Sequence, residues 1–302
     1  MIWIDYPSYM EIVPPKEFNF EECLVFLGRS DKEILHQIKD GSLFKLLKVR
    51  GELIVCKIGC ENGFIKIEFP ISPPPVALRE EIAAYIGEWF DLSQELGEFY
   101  MTAGNDKLMQ KLASTYYGLR MICIPDLFEA ITWAIMGQQI NLSFAYTLRE
   151  RFVKHFGESL IFNGETYWLY PEYEKIAALD VEDLTTLQFT ARKAEYIIGV
   201  AKAMTNGELS KEKLLQNREY QQVKHSLMAL RGIGAWTADY VMMKCLHIPT
   251  AFPLADVGLH NALKLQLGLE RKPTIDEIKE LSANWAGWEA YATFYLWRSL
   301  YE

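Results

Sequence analysis

The spacing of apolar residues changes once along this 302-residue chain, near residue 104. Before that point, apolar and polar residues alternate over 53–60 and 64–69, which predicts two β-strands. The intervening Asn62-Gly63 is typical of a two-residue hairpin turn. After residue 104 the apolar positions recur at helical spacing. We therefore predict an α+β protein, with an N-terminal mixed antiparallel-sheet domain over 1–104 followed by an all-α region over 105–302.

The composition is that of a globular protein, since half of the residues are apolar and 24% are charged. There is no uncharged apolar run of about 18 residues, so we predict no membrane-spanning helix. The first residues lack the basic-then-apolar order of a secretory signal, and we expect a cytoplasmic protein. No C-x-x-C pair is present and no histidine lies near a cysteine at metal-ligand spacing, which predicts free thiols at Cys23, Cys56, Cys60, Cys123 and Cys245.

Two predicted helices, over 220–230 and 235–246, are joined by a short turn centred on Gly232-Ile233-Gly234. Paired glycines permit a tight turn around an apolar anchor. Backbone N–H groups at the start of the second helix would then face an anion such as a DNA phosphate, a contact that positions a protein without reading base sequence. Taken alone, a Gly-x-Gly turn between helices is a weak pattern that more often has a purely structural role, and a phosphate contact stays open beside it.

The formal net charge of −9 argues against a protein that binds nucleic acid through its overall electrostatic field. Charge is not uniform, however, because residues 191–231 carry eight basic against four acidic side chains. Such a segment is either a docking surface or a solvated face without a partner, and composition favours neither.

Further motifs surround the hairpin. Asp256 follows Gly234 by 22 residues, behind Phe252-Pro253. The others are Leu230-x-Gly-Ile-Gly-x-x-Thr-Ala, Gly118-Leu119-Arg120, Phe128-Glu129, Ile135-x-Gly137-Gln138 and Trp288-x-x-Tyr291-Ala292-x-x-x-x-Trp297. In this order they resemble the helix-hairpin-helix/Gly-Pro-Asp superfamily of base-excision DNA glycosylases, most closely its AlkA-type DNA-3-methyladenine glycosylase II group. The resemblance covers roughly residues 104–302 and implies two helical subdomains, with the hairpin at 220–247; the first hundred residues match only in outline.

Asp256 stands where the superfamily carries its catalytic aspartate. From the sequence alone, an aspartate that opens a helix is a preferred N-cap. The two roles are compatible, because a helix N-terminus stabilises negative charge. A carboxylate there would stabilise the oxocarbenium-like sugar that forms as the base leaves, and would orient or deprotonate a water molecule.

Trp236 stands where bifunctional members of the superfamily carry a lysine nucleophile. Without that amine no Schiff base forms at this position, so the resemblance implies a monofunctional hydrolase without lyase activity. Tyr240 lies one turn further along the same helix face, and Trp297 matches an aromatic residue of the AlkA-type pocket. Aromatic stripes of this kind are often only core, but here they would bind a cationic alkylated base through cation–π contacts. Val257 departs from the AlkA-type pattern, which has a pocket tyrosine there.

The resemblance also implies DNA contacts through the corner after the helix that ends at Gly137. Gln138 and Gln139 lie at this corner, and Gln139 occupies the wedge position that fills the gap left by a flipped base. From the residues alone, the two glutamines could equally be exposed loop residues. Further predicted contacts with DNA are at Gly232, Ile233, Gly234 and Thr237. The family commonly holds a structural monovalent cation, Na⁺ or K⁺, here through the main-chain carbonyls of Met228, Leu230 and Gly232.

We therefore expect a monomeric, bacterial-type cytoplasmic and nucleoid-associated enzyme that needs no cofactor. It would remove 3-methyladenine-like bases from double-stranded DNA in base-excision repair. Two alternatives stay open: a glycosylase for another lesion, such as uracil or 8-oxoguanine, and a non-catalytic DNA-binding protein that uses the hairpin alone. No second carboxylate is suitably spaced to act as a general acid, which favours a cationic base that leaves without prior protonation.

Overall fold

The computed structural model describes residues 1–216 and 219–301. Its N-terminal part contains one six-stranded antiparallel sheet of strand order β1-β2-β6-β5-β4-β3. The strands are β1 (Ile2–Asp5), β2 (Tyr9–Val13), β3 (Gln37–Lys39), β4 (Ser42–Val49), β5 (Glu52–Glu61) and β6 (Phe64–Glu68). The predicted hairpin is confirmed: Asn62 and Gly63 have φ of 52° and 82°, the two positive values that a type I′ turn needs.

The N-terminal part also contains helices α1 (Phe20–Leu27) and α2 (Val76–Trp89). The rest of the chain is mainly helical, which confirms the predicted α+β class. These helices are α3 (Gly97–Ala103), α4 (Lys107–Thr115), α5 (Leu127–Gly137), α6 (Leu142–Phe156), α7 (Tyr173–Ala177), α8 (Val181–Thr185), α9 (Ala191–Thr205), α10 (Lys211–Gln216), α11 (Tyr220–Met228), α12 (Ala235–Lys244), α13 (Val257–Gln266), α14 (Ile275–Ser282) and α15 (Glu289–Arg298), with a 3-10 turn at Ala283–Trp285.

The prediction that residues 105–302 are all-α was wrong in one segment. Strands β7 (Glu158–Phe162) and β8 (Glu165–Leu169) form an antiparallel hairpin between α6 and α7. Asn163 and Gly164 form its turn, with φ of 49° and 78°. Tyr167 of this hairpin is buried against Leu46 and Val55 of the large sheet. The hairpin therefore covers apolar side chains that the N-terminal sheet would otherwise expose to water.

The two regions share one hydrophobic core. Buried side chains form a continuous cluster that includes residues from β2 at one end of the chain and from α15 at the other. Residues 123–124 form backbone hydrogen bonds to both regions. The Cys123 N–H donates to Trp89 O and the Ile124 N–H donates to Lys244 O, each at 2.7 Å. The boundary at residue 104 and the division of the helices into two subdomains stay predictions. No helix in the described parts of the chain is long and apolar enough to cross a membrane.

Candidate active site

The hairpin turn between α11 and α12 requires glycine at one of its two glycine positions. Gly232 has φ of +94°, and a Cβ atom there would lie 2.2–2.7 Å from ring atoms of Tyr196. At Gly234 a Cβ would meet no atom of the described residues within 4 Å. Ile233 is buried between them, as expected of an apolar anchor. The turn faces an open groove of about 480 Å³, so the first backbone N–H groups of α12 are accessible to an anion.

Gln138, which follows α5 directly, braces this turn. Its side-chain Nε2 donates to Gly232 O at 2.9 Å and to Thr237 Oγ1 at 3.0 Å. Thr237 is only 2% exposed, so its hydroxyl faces the protein and not a solvent-side ligand. The predicted DNA contact at Thr237 is therefore restricted to its backbone. Gln139 differs from its neighbour: it is exposed and has φ of 56°.

Asp256 is the N-cap of α13, as its sequence position predicts, and its carboxylate is the meeting point of three donors. The backbone N–H of Leu259 donates to Oδ2 at 2.7 Å. The indole N–H of Trp297 donates to the same oxygen at 2.8 Å, and that of Trp236 donates to Oδ1 at 3.1 Å. Because an ionised carboxylate has only acceptors, all three bonds suit it without rearrangement.

Gly258 makes this arrangement sterically possible. A Cβ atom at this position would lie 2.9 Å from Asp256 Oδ2 and 3.1 Å from Trp297 Nε1. A larger residue would therefore push the carboxylate away from the indole N–H that holds it. The sequence analysis missed this glycine, because the need for it arises from α15, which is distant in the chain.

Three aromatic rings, at Trp236, Tyr240 and Trp297, line the space beside Asp256. The ring centroids of Trp236 and Tyr240 are 5.7 Å apart, and those of Tyr240 and Trp297 are 6.1 Å apart. The plane of the Tyr240 ring is inclined by 34° to that of Trp236 and by 35° to that of Trp297. The two residues of α12 are one turn apart, which aligns them on one helix face. Together the rings form a π-rich wall.

This wall belongs to a cavity of about 760 Å³ that brings together the predicted catalytic residue, the predicted pocket residues and the two corner glutamines. It is lined by Gln138, Gln139, Trp236, Tyr240, Asp256, Val257 and Trp297. The structure adds residues to this cavity that the sequence analysis did not select, namely Phe26, Arg29, Trp133, Lys244 and Tyr301. Only Lys244 had a local signal, since it continues the spacing of Trp236 and Tyr240 by one more turn of α12.

A small second cavity of about 50 Å³ lies behind the first and is lined by buried charged side chains. Glu33 pairs with Arg149, and both are under 10% exposed. Burial alone would raise the pKa of Glu33, but Arg149 and other nearby cations lower it to about 2. Glu129 also lines this space, and burial raises its pKa to about 7. This region is therefore highly charged although it is enclosed by protein.

One further cluster, formed by Asp91, Cys123 and His247, contains potential metal ligands. Their ligand atoms all lie within 4.8 Å of one another, which the sequence spacing did not reveal. His247 Nδ1 lies 2.7 Å from Asp91 Oδ1 and 3.6 Å from Cys123 Sγ. Burial would lower the pKa of His247, but Cys123 and Asp91 raise it to about 10. With Tyr291 donating to Asp91 Oδ2 at 2.6 Å, the cluster acts as a hydrogen-bonded ion pair between distant segments.

The basic segment 191–231 is largely paired within the protein. Lys193, for example, is buried and donates to Met136 O at the C-terminal end of α5. The ion pairs are Lys211–Glu88, Lys224–Asp239 and Arg231–Glu195. Arg218, another of the eight basic residues, lies outside the described residues. The structure therefore favours internal pairing over a continuous basic docking surface for the described part of this segment.

Two of the carbonyls predicted to hold a monovalent cation, those of Leu230 and Gly232, already accept hydrogen bonds within the protein. Gly232 O accepts from Gln138, and Leu230 O accepts from the Ile233 N–H at 3.2 Å. A carbonyl oxygen has a second lone pair, so these bonds leave room for a cation ligand. The cation site stays a prediction.

Comparison with known proteins agrees with this geometry. Residues 132–287 match the HhH-GPD superfamily of base excision DNA repair proteins, and residues 15–131 match the N-terminal domain of 8-oxoguanine DNA glycosylase. A DNA-3-methyladenine glycosylase of Bacillus subtilis is 45% identical over the full length of both chains. DNA-3-methyladenine glycosylase 2 of Escherichia coli is 28% identical over 62% of each chain. The chain belongs to the HhH-GPD superfamily, which confirms the resemblance drawn from its motifs.

The fold extends the agreement to the whole chain. The structure of a 3-methyladenine DNA-glycosylase from Archaeoglobus fulgidus superimposes with a TM-score of 0.79 at 23% identity, covering 95% of this chain and 96% of that one. The sheet-bearing N-terminal region, which matched only in outline by sequence, is therefore part of a shared architecture.

Proposed function

We propose that this protein is a monofunctional DNA glycosylase that hydrolyses the N-glycosidic bond of alkylated purines, of the 3-methyladenine kind, in duplex DNA. The observation that carries the proposal is the carboxylate of Asp256, held by two indole N–H groups at the edge of an aromatic cavity. The name of the Bacillus subtilis relative supports the choice of an alkylated purine.

The aromatic wall suits a base that carries positive charge. Alkylation at N3 or N7 leaves a purine cationic, and a cation over an electron-rich ring gains roughly 0.5–2 kcal/mol per good contact. Such a base departs as a neutral molecule, so no general acid is needed. Asp256 then stabilises the positive charge that develops on the sugar and orients the attacking water.

Base flipping and duplex binding form the second part of the proposal. A cavity of about 760 Å³ is large enough for a purine, which cannot reach Asp256 while it is stacked in a helix. The exposed Gln139 at the rim would fill the space that the base vacates. The accessible N–H groups at the start of α12 would hold the DNA backbone.

The absence of lyase activity is the third part. Trp236 stands at the nucleophile position, and its indole is already bonded to Asp256. Lys244 does line the cavity, but its Nζ donates to Ile122 O and its side chain is 3% exposed. Borohydride treatment of a reaction on damaged duplex should therefore trap no covalent protein–DNA complex. A trapped complex would show that an amine attacks the sugar.

The main test is Asp256→Asn, which retains the size of the side chain and removes its charge. We expect base release from methylated DNA to fall by roughly 10²–10³-fold or more, the range found when a transition-state electrostatic partner is lost. Binding of the same DNA should stay within about tenfold of the wild type. The bases released would be identified by chromatography. Wild-type rates of 3-methyladenine release by the variant would refute the role of Asp256.

A second candidate substrate is 8-oxoguanine, because residues 15–131 match the N-terminal domain of 8-oxoguanine DNA glycosylase. A neutral, stable base of this kind calls for either a lysine nucleophile or a protonating acid, and Trp236 occupies the nucleophile position. Release of 8-oxoguanine from a single-lesion duplex, at a rate above that of methylated purines, would favour this candidate.

A further inference from the structure

The inner end of the aromatic cavity is lined by two cationic side chains, Arg29 and Lys244. Both also line the small charged cavity behind it, so they stand where the two spaces meet. Arg29 comes from the segment after α1 and Lys244 from the end of α12. A base that entered past Asp256 would therefore meet aromatic rings at its faces and cations at its inner edge.

Arg29 has most of its hydrogen-bonding capacity available. One nitrogen, Nη1, donates to Phe26 O at 2.7 Å, and the guanidinium carbon lies 4.0 Å from the Phe26 ring centroid. Within residues 1–216 and 219–301, no carboxylate forms an ion pair with Arg29. Its other nitrogen atoms are not among the buried unbonded ones, so they remain accessible. The neighbouring carboxylate of Glu33 forms an ion pair with Arg149.

Lys244 adds a second basic group at this place. Its Nζ donates to Ile122 O and lies 5.2 Å from the Phe26 ring centroid and 4.6 Å from that of Phe294. Burial lowers the pKa of Lys244 to about 7; Cys123 and Asp91 oppose this shift, and Arg29 adds to it. The inner edge of the cavity is therefore rich in donors.

A guanidinium, which has donors only, distinguishes purines by their exocyclic group. A carbonyl oxygen accepts hydrogen bonds from a guanidinium, whereas an amino group offers hydrogens to it and finds no acceptor. We propose that Arg29, with Lys244 beside it, is a specificity-determining residue that donates to the exocyclic carbonyl oxygen of the flipped base. Arg29 would then favour the release of alkylated oxopurines, such as 7-methylguanine, relative to that of alkylated aminopurines. This assignment rests on the proposed function and concerns the selectivity of the same cavity.

The carbonyl contact also offsets an electrostatic cost. A cationic base near Arg29 is repelled, and the repulsion is strong where water is excluded. An oxygen that carries negative partial charge reduces the repulsion by facing the guanidinium, since hydrogen bonds to charged groups are stronger than those between neutral groups. An aminopurine lacks that compensation and depends on the aromatic wall alone.

The test uses one substrate that contains both classes, namely duplex DNA treated with a methylating agent. Release of 7-methylguanine and 3-methyladenine is measured in the same reaction, and both bases are cationic before they leave. With Arg29→Leu we expect 7-methylguanine release to fall about ten- to hundredfold, while 3-methyladenine release stays within about threefold. Arg29→Lys, which retains a donor, should give an intermediate ratio. Arg50→Leu, which removes an exposed arginine paired with Glu81, is the matched control and should change neither rate.

An equal fall in both rates, or no change in either, would overturn the assignment of Arg29. Melting temperatures of the variants show whether an equal fall comes from misfolding. In that case Arg29→Lys must still shift the ratio of the two bases for the assignment to stand. A wild-type protein that releases neither base would overturn the proposed function itself, and this assignment with it.

Discussion

The two sides of the active-site cavity come from different parts of the chain and differ in chemistry. The helical region contributes neutral aromatic rings and one carboxylate, from Trp236, Tyr240, Asp256 and Trp297. The N-terminal region contributes Arg29 to the cavity and the buried Glu33 behind it. The first side contains the residues that we propose act on the glycosidic bond. The second contains Arg29, which we propose selects the edge of the base.

The two sides also differ in how their polar groups are stabilised. Asp256 accepts its bonds from side chains that are themselves part of the aromatic wall. The charges on the N-terminal side are compensated across regions, since Glu33 lies between α1 and β3 and Arg149 lies in α6. Changes on the aromatic side should therefore affect cleavage first, whereas changes on the charged side should affect stability first.

The largest expected effect on stability comes from breaking the charged side with Arg149→Met. The change leaves Glu33 buried without its partner, and loss of one member of a buried ion pair costs about 3–5 kcal/mol. Urea unfolding would measure the free energy of unfolding. The double variant Arg149→Met with Glu33→Gln should recover much of the loss, because it removes the unpaired charge. Equal stability of single variant and wild type would contradict this view.

The same pair predicts an acid dependence of stability. The folded-state pKa of Glu33 is about 2, below the ordinary value of 4.5, so the folded state binds its proton less readily than the unfolded state does. The contribution of the pair is therefore complete above about pH 4.5 and is lost as the pH falls towards 2. The wild type should lose more free energy of unfolding over this range than the double variant loses.

On the aromatic side, Trp297→Phe keeps a ring in the wall and removes the 2.8 Å hydrogen bond to Asp256. Hydrogen bonds to charged groups contribute about 1.5–3 kcal/mol, so base release should fall roughly ten- to hundredfold. Trp285→Phe is the matched control, because the buried Nε1 of Trp285 has no hydrogen-bond partner among the residues that the structure describes. If both variants slowed base release equally, the bond to Asp256 would not be the cause.

The smallest expected effects come from substitutions in the hairpin turn, which should affect DNA binding separately from the base pocket. Gly232→Ala places a Cβ against Tyr196 at a positive φ, and we expect a loss of roughly 1–3 kcal/mol in the free energy of unfolding. Gly234→Ala meets open space and should change stability by less than about 0.5 kcal/mol.

A bulkier Gly234→Leu should leave stability similar but weaken binding to damaged and undamaged duplexes alike. Weaker binding confined to particular lesions would argue against a phosphate contact.

Features that depend on neighbours in the chain could be predicted from the sequence. The turn at Asn62-Gly63, the N-cap at Asp256 and the alignment of Trp236 with Tyr240 each follow from backbone geometry over a few residues. The family motifs extended this local information to the predicted catalytic role of Asp256 and to Trp297. The β7–β8 hairpin was missed although it has a similar Asn-Gly turn, because its strands are short and lie between helices.

What only the tertiary structure decided is how distant segments meet around Asp256. Arg29 comes into the cavity from the N-terminal region, Gly258 is needed because Trp297 approaches it, and Gln138 braces a turn 94 residues further along the chain. Cys123 and His247 likewise become neighbours only on folding. The physical reason is the range of the interactions involved. Backbone preferences act between adjacent residues, but burial and charge compensation depend on packing that brings together residues far apart in the chain.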